Sequence, residues 1–247
     1  MEPEEFPIAK YTVQLYHHQA NKPFDEIIPS QIASGVLVRK YEKYFLLTCK
    51  HVFDHIAPSD VIILTTSFFA IRLPDEIKFI NNATDSIDLA LVEFKGHRLV
   101  MVKRYYFFLP YRNMGFNHVF SEDLYYMLYG YINKRTELKD YAFQAESFGY
   151  LTTFRRYRKF EKLGFNYEEN ISLEYNRRKQ GDFEDDTVVQ LGPKELKGMS
   201  GGGIWLSVAG RKRETYRYLL VGVMIEERLD RGFIIGTKVK LIDNEMM

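Results

Sequence analysis

The sequence has a single cysteine, Cys49, so no disulfide can form within the chain. That excludes the stapled scaffold of a small secreted domain and points to a reducing compartment. No stretch approaches the roughly 18 uncharged apolar residues that a spanning helix needs. The opening MEPEEFPIAKYTVQ lacks the basic start and continuous apolar run of a secretion signal. A soluble cytoplasmic protein without a membrane partner is therefore the expectation. The formal net charge is only +1, so the overall field gives no reason to expect nucleic acid or an acidic membrane as the main partner. The basic run TTFRRYRKFEK reads as a solvated strand face and its turn. There is no internal repeat, low-complexity tract or Gly/Ser linker, no Cys/His cluster with metal-ligand spacing, and no glycine loop leading into Lys-Ser/Thr to cradle a phosphate. No cofactor and no metal are implied.

What is abundant is aromatic: 18 Tyr and 19 Phe in 247 residues. Aromatic and β-branched residues favour strands, and short apolar or alternating segments recur along the chain. They include YTVQLY, SGVLVRK, KYFLLTC, VIILTT, DLALVEF, LYYMLYGYI, FGYLTTF, NISLEY, GGIWLSV, YLLVGVMI and RGFIIGTKV, set off by turn material such as RLPDE, NNATDS, YRNMG and KLGFN. Strand-sized segments in this rhythm predict an all-β barrel or sandwich. No amphipathic helix of length emerges; residues 134–147 and the terminal KLIDNEMM are the places for short ones. The aromatic RYYFFLP reads as a strand, and NRRKQGDFEDDT as an exposed loop.

One stretch breaks the pattern. KELKGMSGGGIW, residues 194–205, crowds four glycines around Ser200 before a buried-looking Ile204-Trp205. Gly198-Met199-Ser200-Gly201-Gly202 fits G-x-S-x-G, but all six histidines precede Ser200. The order serine, acid, histidine that accompanies this pattern in the α/β hydrolases is therefore excluded. The order histidine, acid, serine is open. His51 follows an apolar strand in KYFLLTCKHVF, Asp88 precedes Leu-Ala-Leu-Val in NNATDSIDLALVEF, and Ser200 sits among the glycines. His55 and Asp85 are the nearby competitors, and Cys49 is expected buried.

These three stretches resemble the trypsin/chymotrypsin-like serine peptidase family, whose members carry T-A-A-H after a strand, an acid before a Leu/Ile-Ala-Leu strand, and G-D-S-G-G around the nucleophile. SGVLVRK also matches the family hairpin before the histidine. The resemblance spans about residues 33 to 237 and implies two six-stranded antiparallel β-barrels, about 10–105 and about 106–240, with the active site between them. It implies a serine endopeptidase of bacterial, intracellular type, with His51 as base, Asp88 as its orienter and Ser200 as nucleophile. The backbone amides of Gly198 and Ser200 would form the oxyanion hole. A peptide or protein substrate would pair with a strand edge near Val221-Gly222-Val223, and Lys194, six residues before Ser200, would favour acidic side chains. Met199 stands where activated extracellular members have an aspartate that pairs with a new N-terminal amine. Zymogen activation is therefore not expected, and what holds the oxyanion loop is open. Lys50 replaces a small residue before the histidine. The surplus chain in 95–187 offers a surface for a regulatory protein partner or a lid. Two rival readings stand beside the peptidase: a non-catalytic peptide-binding or scaffolding descendant, and an esterase using the same triad.

Overall fold

The computed structural model describes residues 7–19, 29–65, 69–80, 86–139, 142–176, 195–209 and 216–246. Eight strands precede residue 111: β1 (Thr12–His17), β2 (Ser30–Lys40), β3 (Lys43–Thr48), β4 (Val61–Leu64), β5 (Ala70–Arg72), β6 (Lys78–Ile80), β7 (Leu89–Phe94) and β8 (Leu109–Pro110). Six follow it: β9 (Tyr125–Lys139), β10 (Ala142–Thr153), β11 (Asn170–Glu174), β12 (Gly203–Ala209), β13 (Tyr216–Arg228) and β14 (Phe233–Lys238). They form two curled sheets, each a half-barrel. The first runs β5-β4-β1-β2-β3-β7-β6, antiparallel throughout, with β8 added parallel to β2. The second runs β10-β9-β12-β13-β14-β11, also antiparallel.

The all-β double barrel expected from the resemblance is thus present, with seven strands rather than six on the path of the first sheet. The sequence reading did not pick out β5 and β6, each of 3 residues, too short for alternation to be read.

The burial of β12 and β13 explains their unbroken apolar runs. Ile204 and Leu206 point into the core of the second sheet, while Trp205 between them packs with the residues of the first. Val221 and Met224 join the former, Leu220, Val223 and Ile225 the latter. Successive strand residues point to opposite faces, and here both faces are buried, so no polar residue needs to alternate. Trp205, fully buried, stacks on Tyr11 with ring centroids 6.5 Å apart. The two half-barrels share this layer, and the cleft opens beside it.

Two local expectations are corrected. Residues 134–139 and 142–147 lie in β9 and β10, not in a helix: the strands pair in register from Tyr125↔Thr153 to Lys139↔Ala142, with one irregularity between Gln144 and Glu146. Pairing across the hairpin overrides the weak helical propensity of a polar stretch. Conversely, GHRLVMVKRY forms α1 (Gly96–Tyr105), which takes the start of the segment read as an aromatic strand. Only Val102 of this helix is buried, so no apolar stripe marks it in the sequence. The terminal KLIDNEMM holds two short 3₁₀ turns. The polar loop near 176–187 lies outside the described residues but for its first member. No helix among the described residues is long and apolar enough to cross a membrane.

Candidate active site

The register between β3 and β7 sets the first half of the site. These strands pair antiparallel, with Thr48 opposite Ala90. Three residues beyond Thr48 lies His51, in a 3₁₀ turn over Lys50–Phe53, and two before Ala90 lies Asp88. Both therefore leave the sheet at the same end. His51 donates its backbone N–H to Asp88 Oδ1 at 2.9 Å, and its ring Nδ1 meets Asp88 Oδ2 at 2.5 Å. Both carboxylate oxygens are thus committed to one residue, which fixes the ring and leaves Nε2 facing outward. His51 keeps 42% of its side-chain exposure and Asp88 20%. Partial burial opposes the charged imidazolium. The hydrogen bond and charge of Asp88, with Asp54 and Glu226 adding to them, outweigh that and hold His51 above its ordinary value.

The second half is carried by glycine. Ser34 of β2 donates its N–H to the Ser200 carbonyl at 2.7 Å, and the Thr48 hydroxyl donates to the Ser34 carbonyl at 2.8 Å. This chain of contacts ties the serine loop to the end of β3, where His51 begins. Gly201 has φ +85°, and a Cβ there would lie 2.0 Å from the Ser34 carbonyl oxygen and 2.4 Å from Thr48 Oγ1. Only glycine permits so close an approach. That is one reason the sequence is bare at this point.

Gly198 supplies the other. Met199 N–H donates to the Leu196 carbonyl at 2.9 Å, closing a turn over 196–199. Gly198 has φ +91° while Lys197 has no positive φ, which makes this a type II turn. The Lys197 carbonyl accepts from the Asn133 amide of β9 at 2.7 Å. In a trans peptide the C=O and N–H point oppositely, so the Gly198 N–H is aimed away from β9. Likewise the Met199 carbonyl accepts from Gly202 at 2.7 Å, which turns the Ser200 N–H the other way. Among the described residues neither amide has an acceptor. Two free amide donors thus flank the half-buried Ser200. Met199 itself is fully buried in the second core, so its side chain cannot take part in an ionic anchor.

The remaining sequence-derived positions fall differently. Val221, Gly222 and Val223 are buried in mid-sheet: β13 pairs there with β12 through Ile204↔Gly222 and Gly203↔Val223, and with β14 through Gly222↔Lys238 and Val223↔Thr237. Both edges are used, so they offer none to a substrate. β12 begins at Gly203, and beyond Val223 no strand among the described residues takes that side of β13. The open edge is Ile225–Glu227. Lys194 and Asp85 lie outside the described residues, and His55 is exposed, while both Asp88 carboxylate oxygens are taken by His51. Cys49 is buried as expected; its thiol donates to the Met224 carbonyl at 3.1 Å, and burial pushes it well up. Cys49, His51 and Asp88 donor atoms lie within 4.8 Å of one another, but a protonated thiol committed to a carbonyl is a poor metal ligand. No hydrogen bond joins Ser200 Oγ to His51 among the described residues; such contacts commonly tighten only with substrate bound.

Beside the His51–Asp88 pair lies a cleft of about 510 Å³, lined further by Lys50, Asp54, Ile87, Phe165, Ile225 and Glu226. Sequence reading missed Phe165, Glu226 and Glu227, and gave Ser34 no role beyond opening a hairpin. Glu227 accepts the Leu196 N–H at 2.5 Å. That contact has no sequence signal, since it links residues 31 positions apart in the chain.

No protein-family model matches the sequence, and no curated protein matches it. Solved structures do. The scabies mite inactivated protease paralogue S-I1 superposes with a TM-score of 0.57 at 15% identity, over 96% of this chain and 93% of that one. A structure of GrC gives 0.54 at 17% identity, over 96% and 92%. The fold is therefore that of the chymotrypsin-like serine proteases, a fold that also houses inactivated members.

Proposed function

We propose that the chain is a serine-type peptidase acting through His51, Asp88 and Ser200. The observation that carries this reading is the joint geometry. An imidazole is held by a carboxylate at 2.5 Å, and the serine loop tied to the same strand end has two amides aimed away from their own chain. Ser200 Oγ attacks the substrate carbonyl as its proton passes to His51 Nε2, and the C=O electron pair moves onto oxygen. Gly198 and Ser200 N–H groups receive that oxyanion. The C–N bond then breaks, His51 returns the proton to the leaving amine, and a water molecule repeats the sequence on the acyl-enzyme. Asp88 holds the tautomer and stabilises the imidazolium without taking the proton.

The substrate is an extended peptide that adds a strand to the edge Ile225–Glu227, with its side chains over the cleft beside His51. Glu226 and Glu227 put carboxylates at this edge, which counters the acidic preference argued from Lys194. A peptide library reads the outcome directly: cleavage after acidic residues supports the lysine, cleavage after Arg or Lys removes it.

A fluorophosphonate probe tests the enzyme reading. Covalent labelling of the native protein is expected, abolished in Ser200→Ala and strongly reduced in His51→Ala. Native protein that never labels overturns it in favour of a non-catalytic, peptide-binding descendant. That second reading has support in the open Ser200–His51 contact and in the likeness to an inactivated paralogue. Ester turnover without any peptide cleavage across a diverse library favours an esterase.

A further inference from the structure

A type II turn at Leu196–Met199 is not self-evident. Types I and II differ by a flip of the central peptide, and glycine at the third position tolerates either. In the flipped form the Lys197 carbonyl would face the cleft and close the anion site. Which form prevails depends on what grips the turn from outside. The usual ionic anchor next to the serine is absent, since Met199 occupies that position.

Three contacts grip it instead. Glu227 accepts the Leu196 N–H at 2.5 Å at the start of the turn. The Asn133 amide holds the Lys197 carbonyl at 2.7 Å in the middle. The Ser34 hydroxyl donates to the Gly198 carbonyl at 2.8 Å at the end, while accepting the Tyr131 N–H at 2.9 Å. Ser34 is fully buried, and its single hydroxyl bridges the turn to β9. Gln31 completes the seat: its Nε2 donates to the Tyr131 carbonyl at 3.0 Å, and its own carbonyl accepts from Asn133 Nδ2 at 2.9 Å. The fit is close, because a Cβ on Gly198 would lie 2.8 Å from Asn133 N and 3.0 Å from both Gln31 Nε2 and the Tyr131 carbonyl. With both ends pinned, the Lys197 carbonyl stays in register with the Asn133 amide. A flip would set the Gly198 N–H against that amide, donor against donor.

We infer that Ser34 and Glu227 are positioning residues that hold the oxyanion turn in its anion-binding form, so that the site is formed without proteolytic activation. The inference rests on the peptidase reading for its purpose but not for its geometry. Loss of either grip lets the turn lift from β9 and populate the flipped form.

Ser34→Ala and Glu227→Ala are compared with the native protein. Removing one oxyanion donor outright costs about 10²–10³ in kcat, so weakening its placement is expected to lower kcat by about 10- to 100-fold. In Ser34→Ala KM stays within about 3-fold; in both variants affinity for a peptide aldehyde, whose adduct carries the oxyanion, falls with kcat. Loss confined to KM, or no loss in either variant, overturns the inference. Ser34→Ala also orphans the Tyr131 amide and can fail to fold; Glu227, half-buried at the rim, supplies the second variant. A crystal structure of a folded variant decides independently of activity. Gly198 leaving its positive φ, with Lys197 released from Asn133, is the expected result. An unchanged turn overturns the inference even if the native protein is a good peptidase. A turn that flips in a protein that never labels would leave the inference standing and remove the peptidase reading alone.

Discussion

His51 draws two opposite pH dependences from one contact. Its value is raised because Asp88 favours the imidazolium more than burial disfavours it. The stability this confers is fully present below the unfolded histidine value of about 6.5 and is lost as pH rises through the raised folded value. Base function runs the other way, because only the neutral ring can take the serine proton. Peptidase activity is therefore expected to rise with pH along a limb centred above about 6.5. Asp88→Asn removes the charge and the correct tautomer together. It should lower kcat by about 10⁴, and the remaining limb should move to lower pH. A kcat/KM profile of both proteins reads this, and an unmoved limb would mean that Asp88 does not set the histidine. The choice of His51 and Asp88 was legible in the sequence, because each adjoins an apolar strand and the β3–β7 register then needs only Thr48 opposite Ala90. Glu226, which adds to the same histidine's field from the other half-barrel, was not legible, since nothing in its neighbours marks a cleft.

At the scale of elements, the β12–β13 pair carries the molecule. Its residues alternate between two cores, and Trp205 is the largest side chain buried without exposure. Trp205→Ala should cost about 3–5 kcal/mol in a denaturant titration, with the loss felt by both sheets in one transition. Two separated transitions would show that the shared layer is not what joins them. The strands that line this layer were read correctly from their apolar runs. The helix α1 and the far arms of the β9–β10 hairpin, 134–139 and 142–147, were not. In the helix a single buried valine leaves no stripe. In the hairpin the polar arms are extended by pairing with each other, a non-local cause that no window of sequence contains. The same limit applies to the edge proposed for a substrate. Val221–Val223 lie in β13, but where β12 begins decides which residues of that strand are free.

Across the whole molecule, the C-terminal turns fold back onto the first sheet. Lys40 of β2, with 8% of its side chain exposed, donates to both the carbonyl and the carboxylate of Asp243, at 2.8 and 2.9 Å. Tyr111 donates to the same carboxylate at 2.6 Å. The Tyr111 hydrogen bond first, then Lys40, holds Asp243 below the usual carboxylate range. A depressed carboxylate contributes stability above its unfolded value of about 3.9 that is lost as pH falls through the folded value. Thermal midpoints should therefore drop more steeply in acid for the native protein than for Asp243→Asn. Parallel curves would mean that the closing turns are held by the apolar packing of Val239, Ile242 and Met246 alone.

Composition, strand rhythm and three short motifs determined that this chain folds into sheets and where its candidate nucleophile, base and acid stand, because those signals lie in neighbouring residues. The tertiary structure decided the rest: which edge of β13 is open, which way the Gly198 amide points, and what grips the turn that aims it. Those depend on hydrogen bonds such as Ser34 to Gly198, 164 residues apart, whose partners meet only once both sheets have closed.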